Sequence, residues 1–209
     1  SGYALYWSTL GSFLGSVSLA LLVMQWLGVS AAVLVCALLL AVGSLLLGSA
    51  GWRPRSAALG AALLAGGINL FPPNRVEDTA YADYAVAPVT LPEHTNPRAF
   101  WVNNSLASLL DDSEPPRYAR YVQHLRRILL DDLALRGKTV LVLGAGGFTL
   151  SHREPSNRYT YVDIDPKIRE IAETRFLKAP IRGEFIVDDA RRYVRATATR
   201  YDAVVVDVF

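Results

Sequence analysis

The sequence predicts transmembrane α-helices, then a small antiparallel β unit, and then an α/β domain with a parallel sheet. Three observations predict this order. The first 52 residues contain no Asp, Glu, Lys, Arg or His. Residues 76 to 110 mix β-favouring side chains with turn formers. From residue 139, short apolar strands alternate with helical patterns, which is typical of a parallel sheet covered by helices.

The charged residues are confined to the later part of the chain. All 19 acidic residues lie from Glu77 onward, and only Arg53 and Arg55 of the 21 basic residues precede Phe71. The part after Phe71 is therefore neutral, which gives no reason to expect nucleic acid as a partner. The single cysteine, Cys36, excludes an intramolecular disulfide. The histidines lack the spacing of metal ligands, so we expect no metal site: His94, His124 and His152.

Two uncharged stretches are long enough to cross a membrane. Residues 3 to 27 and 29 to 50 each exceed the length needed for a core of about 30 Å at about 1.5 Å per residue. We expect two spans joined by a tight turn near Gly28, rather than core helices of a soluble protein or a signal peptide, which would have a basic start. Gly11 and Gly15 form a GxxxG pattern that would let a partner helix or a second copy approach closely.

A third apolar stretch, residues 56 to 71, decides on which side of the membrane the following domain lies, and the sequence leaves both sides open. It has 16 residues, so it is either a short third crossing or an interfacial helix that ends before two prolines. Arg53 and Arg55 favour the cytoplasmic side. The following domain lies opposite these arginines if the stretch crosses, and beside them if it does not. We take residues 1 to 72 as the transmembrane region.

The region outside the membrane divides in two. Residues 76 to 110 form the small antiparallel β unit, with a turn at Asn103 and Asn104. Residues 115 to 209 form the α/β domain. It opens with a helix that ends at Gly137 and carries apolar side chains at helical spacing: Tyr118, Tyr121, Val122, Leu125, Leu129 and Leu133.

A glycine-rich turn follows the first strand of the α/β domain. Gly144, Gly146 and Gly147 let the backbone turn sharply and approach a ligand without a Cβ in the way. Asp163 ends the second strand, 19 residues after Gly144, where a carboxylate can accept hydrogen bonds from ribose hydroxyls. This pairing predicts a nucleoside site.

Two more aspartates follow strands of the same sheet. Asp189 follows the third strand and Asp207 ends the fourth, so acidic groups collect at the carboxyl ends, where open α/β sheets bind ligands. Each aspartate alone could instead be a turn residue or a helix N-cap. The glycine turn lacks a basic side chain, which disfavours a triphosphate. An acid-lined crevice better fits a ribose-containing ligand with a positive centre, such as an S-adenosyl compound.

At these segments the sequence resembles the spermidine synthase family, in its bacterial branch with N-terminal transmembrane helices. The matching segments are "VLVLGAGG", "YVDIDP", "VDDARRYV", "YDAVVVDVF" and "YARYVQHL". The resemblance covers about residues 76 to 209. It implies a Rossmann-like domain of the S-adenosylmethionine-dependent methyltransferase type.

The resemblance also implies roles for single residues. Asp163 would hold ribose, Asp189 would face the adenine amino group, and Asp207 and Tyr118 would border the reacting centre as catalytic residues. The co-substrate would be decarboxylated S-adenosylmethionine or S-adenosylmethionine, without a metal, and the acceptor a polyamine or other small amine. The protein would lie in the bacterial inner membrane, with its soluble domain in the cytoplasm.

The sequence also departs from the family. Gly147 stands where the family has an aspartate, and Ala107 where it has a glutamine. The chain ends at Phe209, before the loop with the family's second catalytic aspartate, so we expect an incomplete domain. We expect a partner to cover the edge of its last strand. We also expect residues 1 to 209 alone to bind a nucleoside weakly without aminopropyl transfer.

Three functions therefore stay open. The first is aminopropyl transfer from decarboxylated S-adenosylmethionine to a polyamine. The second is methyl transfer to another acceptor. The third is a non-catalytic module that binds a nucleoside while the helices carry the biological role.

Overall fold

A computed structural model of the chain describes residues 2–47, 56, 59–64, 66–67, 75–92 and 94–208. The contacts divide the chain into two compact units, Ser1–Ala80 and Tyr81–Phe209. The α/β domain and residues 81 to 110 of the β unit, which the sequence separates, both fall within the second unit.

The first unit begins with a long helical path. Helix α1 spans Gly2–Ser18, a π-helical turn spans Leu19–Val23, and helix α2 spans Met24–Leu47. The predicted turn near Gly28 is wrong, because α2 continues through this position. A single glycine inside a helix costs only about 1 kcal/mol relative to alanine, which does not suffice to end it.

The N-terminal helix has the length and composition of a membrane span. Gly2–Val23 has 22 residues, and none of its apolar window is buried inside the structure. A signal sequence passes the same test of length and composition. The second predicted span is helical up to Leu47, with a shorter apolar stretch at Ala31–Gly43, and its last residues lie outside the described ones.

The third apolar stretch packs against α2. Its described residues, 56, 59–64 and 66–67, are helical. A Cβ at Gly66 would lie 2.5 Å from Cδ1 of Leu34, so a side chain at this position would require the end of the Leu34 side chain to shift. A Cβ at Gly11 or Gly15 would meet no described atom within 4 Å, so the predicted partner of that pattern stays a prediction. Arg53 and Arg55 lie outside the described residues.

Short strands follow the helical region. Strand β1, Arg75–Asp78, is the last described strand of the first unit. In the second unit, four strands pair in antiparallel order along the chain: β2 Asp83–Pro88, β3 Pro97–Val102, β4 Ser105–Asp111 and β5 Arg117–Tyr118. Asn103 and Asn104 form the β3–β4 turn with φ of 51° and 62°, a conformation that asparagine tolerates.

The predicted parallel sheet is confirmed. Its strands are β6 Thr139–Leu143, β7 Arg158–Asp163, β8 Glu184–Val187 and β9 Ala203–Val206. They lie in the order β8, β7, β6, β9, and every pair is parallel. Strand order reverses between β6 and β9, which opens a crevice at their carboxyl ends. At the β9 edge, Val204 and Val206 are exposed, and their covering by a partner stays a prediction.

One helix precedes these strands, and two others connect them. Their bounds are α3 Arg120–Arg127 with a π-helical turn at Ile128–Asp132, α4 Ile168–Ile171 with a π-helical turn at Ala172–Leu177, and α5 Ala190–Ala196. Tyr118, predicted at the start of the first helix, instead pairs with Leu110 in the antiparallel sheet. Because sheet pairing holds Tyr118 extended, the helix begins only at Arg120.

One core joins the two sheets of the second unit. The rings of Phe100 on β3 and Phe176 after α4 lie 5.3 Å apart between their centroids. Nε of the buried Arg98 donates to the Phe176 carbonyl oxygen at 2.9 Å. Ser108 on β4 shares a 2.8 Å hydrogen bond with Thr149, just after the glycine turn. The antiparallel sheet therefore supports the loops at the carboxyl edge of the parallel sheet.

Candidate functional site

The glycine turn lies directly against Asp207. Gly144 and Gly146 have φ of +90° and +50°, conformations that favour glycine. A Cβ at Gly144 would lie 2.1 Å from the backbone oxygen of Asp207, and one at Gly146 would lie 3.0 Å from Oδ2 of its carboxyl. The glycines are therefore needed because the ends of β6 and β9 approach so closely.

Asp207 lies at the reversal of strand order. Its backbone N–H donates to the Leu143 carbonyl oxygen at 2.8 Å, which fixes it beside the end of β6. Burial raises the pKa of the Asp207 carboxyl, and the nearby Tyr121 hydroxyl opposes this rise. Asp207 is therefore a better proton acceptor than an ordinary aspartate.

The tyrosine beside Asp207 is Tyr121, which the sequence analysis gives no role in the site. Its hydroxyl donates to the Ala107 carbonyl oxygen at 2.6 Å. Burial, and next the charge of Asp207, raise the pKa of Tyr121, so it stays protonated. A helical pattern that includes both Tyr118 and Tyr121 could not show which one reaches Asp207.

Tyr118 lies in a different group of side chains. Its hydroxyl donates to the His152 carbonyl oxygen at 3.0 Å and lies 3.1 Å from His152 Nδ1. The Arg126 guanidinium stands 4.8 Å from the centre of its ring. Arg126 also donates to the carbonyl oxygens of Leu150 and His152, at 2.7 and 3.0 Å. These contacts tie Tyr118 to the loop after the glycine turn, and its catalytic role stays a prediction.

Asp163 holds the glycine turn from the second strand. Its Oδ2 accepts from the Ala145 N–H at 2.9 Å, and its Oδ1 accepts from the Asp165 N–H at 3.0 Å. Burial raises the pKa of the Asp163 carboxyl, and these backbone hydrogen bonds oppose the rise. Each carboxylate oxygen has two lone pairs, so both can still accept from a ligand.

Asp189 is a helix N-cap. Its Oδ1 accepts from the Arg192 N–H at 2.8 Å, at the first turn of α5. This is the capping role that the sequence left open. A contact with adenine through its second oxygen stays a prediction.

Gly147 faces the core rather than Asp207. Its φ is +82°, and a Cβ there would lie 2.9 Å from Cε1 of Phe176 and 3.2 Å from Cβ of Ser108. An aspartate at this position would therefore need Phe176 to move. The glycine serves packing between the two sheets.

A small cavity lies under the glycine turn, between α3 and the sheet. Its volume is about 20 Å³, room for about one water molecule. Its lining includes Tyr121, Val142, Thr149, Tyr161 and Asp207. A nucleoside would have to bind on the open side of the turn. Among the described residues, no cluster of three or more His, Cys, Asp or Glu side chains could hold a metal ion.

Comparisons with known proteins give a remote likeness. No family model and no curated protein matches the chain. A solved structure of a probable spermidine synthase from Corynebacterium glutamicum ATCC 13032 matches with 19% sequence identity and a TM-score of 0.48. The match covers 62% of this chain and 50% of that one, so the chain spans half the length of the solved protein. A match at this level does not determine an activity.

Proposed function

We propose that the protein is a membrane-anchored, spermidine synthase-like transferase. It would move an aminopropyl group from decarboxylated S-adenosylmethionine to a polyamine or other small amine. The observation that supports this proposal is that the glycine turn, Asp163 and Asp207 meet at one edge of a parallel sheet. The order β8, β7, β6, β9 corresponds to 3-2-1-4, the first four strands of a Rossmann-like sheet, whose ligands bind at this point.

The nucleoside part of the ligand is assigned to the turn and the second strand. The backbone at Gly144 and Gly146 allows close approach, and Asp163, beside the turn, would accept hydrogen bonds from ribose hydroxyls. Asp189 is assigned to the adenine amino group. The partly buried carboxylates of Asp163 and Asp207 favour a sulfonium over a phosphate, because they attract a positive centre.

The transfer needs a proton acceptor beside the sulfonium carbon. The neutral amine nitrogen attacks that carbon; a C–N bond forms while the C–S bond breaks, and its electron pair stays on the sulfur of the departing methylthioadenosine. The proton that the nitrogen gives up passes to Asp207, whose raised pKa suits this role. Tyr121, whose hydroxyl lies near the Asp207 carboxyl, would take the place beside the reacting centre that the resemblance implies for Tyr118.

Methyl transfer is the second candidate. Gly147 has no room for a carboxylate, and Ala107 contributes only its carbonyl oxygen to the hydroxyl of Tyr121. The acceptor side therefore has fewer polar groups than the acceptor side of the family that the sequence resembles. Preference for S-adenosylmethionine over its decarboxylated form would favour methyl transfer.

Anchoring is assigned to the helix Gly2–Val23, whose apolar surface is uncovered in the described structure. Because S-adenosyl metabolites are cytosolic, the second unit is placed in the cytoplasm of a bacterial cell. The variant Asn104→Cys, on the exposed β3–β4 turn, tests this placement with an impermeant thiol reagent in intact cells. Protection until lysis is expected, and efficient labelling before lysis would place this unit outside.

Isothermal titration tests the nucleoside site. The protein in detergent would be titrated with S-adenosylmethionine, its decarboxylated form and methylthioadenosine. We expect binding of all three, with the decarboxylated form tightest. Binding of none of them would contradict the nucleoside site and with it the proposed function.

A further inference from the structure

We propose that Tyr84, on the antiparallel sheet, is a positioning residue of the nucleoside site. This inference rests on the proposed function, because it concerns how Asp163 is held for ribose. Tyr84 lies 79 positions before Asp163 in the chain, so no local pattern connects the two.

A buried hydrogen bond reaches from Tyr84 to the turn after β7. The Tyr84 hydroxyl donates to Oδ2 of Asp165 at 2.9 Å, and the two residues are only 2% and 1% exposed. The ring of Tyr84 lies 5.8 Å from that of Phe100, which packs on Phe176. The aromatic core therefore fixes the direction from which the hydroxyl approaches.

Asp165 links Tyr84 to Asp163 through hydrogen bonds. Its second oxygen, Oδ1, accepts from the Lys167 N–H at 2.9 Å, so its carboxylate joins the Tyr84 hydroxyl to the backbone of the turn. Its own N–H donates to Oδ1 of Asp163 at 3.0 Å. The other oxygen of Asp163 holds the Ala145 N–H at 2.9 Å. A chain of hydrogen bonds thus runs from Tyr84 to the glycine turn.

The ribose-binding carboxylate has little freedom in this arrangement. A carboxylate that accepts two ribose hydroxyls must keep one orientation, and binding is tighter when that orientation exists before the ligand arrives. Without the hydroxyl of Tyr84, Asp165 would lose a buried donor and the turn 163–167 would lose one of its supports. The antiparallel sheet would therefore contribute to nucleoside affinity without touching the nucleoside.

Tyr84→Phe tests this role, and Tyr159→Phe is its matched control. Tyr159 is also buried, and its hydroxyl bonds to a carboxylate, that of Glu154. Tyr159 lies near the start of β7, the strand that ends at Asp163, and is about 13 Å from Asp163 at about 3.3 Å per residue. The ligands are methylthioadenosine and its 2′,3′-dideoxy form, which lacks the hydroxyls that Asp163 would bind. The readout is the ratio of their affinities, which a general loss of stability does not change.

We expect the wild-type protein to prefer the diol form. Tyr84→Phe should narrow this preference by about threefold to tenfold, as expected for a weakened hydrogen bond to a charged group, while Tyr159→Phe should keep it. Asp165→Asn, which keeps an oxygen for the Lys167 N–H, should narrow it as well and replaces Tyr84→Phe if that variant does not fold.

The contrary results separate the two proposals. An unchanged ratio in a folded Tyr84→Phe variant, or in Asp165→Asn if Tyr84→Phe does not fold, would overturn the positioning role alone, and so would equal narrowing in Tyr159→Phe. A wild-type protein that binds neither ligand, or does not prefer the diol, would overturn the nucleoside site of the proposed function and this inference with it.

Discussion

The amino ends and the carboxyl ends of the parallel strands both carry aspartates, but the pKa values of these aspartates shift in opposite directions. At the amino edge, hydrogen bonds from Thr139 and Lys138 lower the pKa of the Asp202 carboxyl to about 2. At the carboxyl edge, burial raises the pKa of Asp163 and of Asp207. Asp202 and Asp207 flank the same strand, β9.

The difference separates a structural edge from a candidate functional edge. Donors of the protein itself satisfy Asp202, which holds β9 to β6. For Asp163 and Asp207, groups of the protein offset only part of the cost of burying the charged carboxylate, so a positive ligand would stabilise these aspartates more. Four variants below test this contrast, each against a matched residue.

Glycine substitution is expected to give the largest difference between the edges. Gly137 and Gly144 precede and follow β6, with φ of +66° and +90°. Gly137→Ala should cost about 1 to 2 kcal/mol, the strain of alanine in the left-handed region. Gly144→Ala should cost clearly more, at least about 3 kcal/mol, because its Cβ would lie 2.1 Å from the Asp207 backbone. Urea unfolding measures both, and equal losses would contradict the close approach.

Removing the Asp163 charge is expected to be next in size. Asp163→Asn should weaken methylthioadenosine binding about tenfold to a hundredfold, because charge-assisted hydrogen bonds to ribose are lost. Glu154→Gln is the amino-edge control, since this buried carboxylate accepts from Ser156 and Asn157 in a loop before β7. It should lower stability but keep the affinity. Titration calorimetry would refute the assignment if the two variants bound alike.

The sequence predicts what depends on local pattern. The parallel sheet follows from apolar runs between turns, and the asparagine turn at 103 and 104 follows from residues that tolerate positive φ. The glycine turn is visible for the same reason, since it directly follows a strand.

What the sequence does not show depends on tertiary contacts. Tyr118 pairs with Leu110 in a sheet, which moves the start of the helix and brings Tyr121 to Asp207. The bond from Tyr84 to Asp165 joins residues 81 positions apart. At Gly28, the helix continues because a single glycine costs only about 1 kcal/mol relative to alanine.

Stability against pH should respond in opposite directions at the two edges. A lowered pKa stabilises the folded state above the unfolded value of 3.8, and this contribution is lost as the pH falls toward about 2. A raised pKa stabilises only at acid pH, and this contribution is lost as the pH rises through the folded value. At pH 7, Asp202→Asn should therefore lower the melting temperature, while Asp207→Asn should leave it equal or slightly higher. A drop of the same size in both variants would mean that Asp207 is also structural.

The two tyrosines should give the smallest difference. The nearby Tyr121 hydroxyl lowers the pKa of the Asp207 carboxyl, so Tyr121→Phe should raise that pKa further. As the pH falls, Asp207 would then become protonated at a higher pH than in the wild type, and sulfonium binding would weaken at that higher pH. Tyr118→Phe, which removes a contact with His152, should leave the midpoint pH of this weakening unchanged. If the midpoint moved in Tyr118→Phe instead, the original assignment of Tyr118 to the reacting centre would be the better one.

The most direct measurement compares a charged and a neutral ligand in two aspartate variants at the ends of β9. Decarboxylated S-adenosylmethionine carries a sulfonium, and methylthioadenosine carries a neutral thioether. We predict that Asp207→Asn reduces the preference for the sulfonium about tenfold and leaves methylthioadenosine binding nearly unchanged, while Asp202→Asn changes neither. An Asp207→Asn variant that keeps the full sulfonium preference, or loses both ligands equally, would contradict the assignment of Asp207 to the reacting centre.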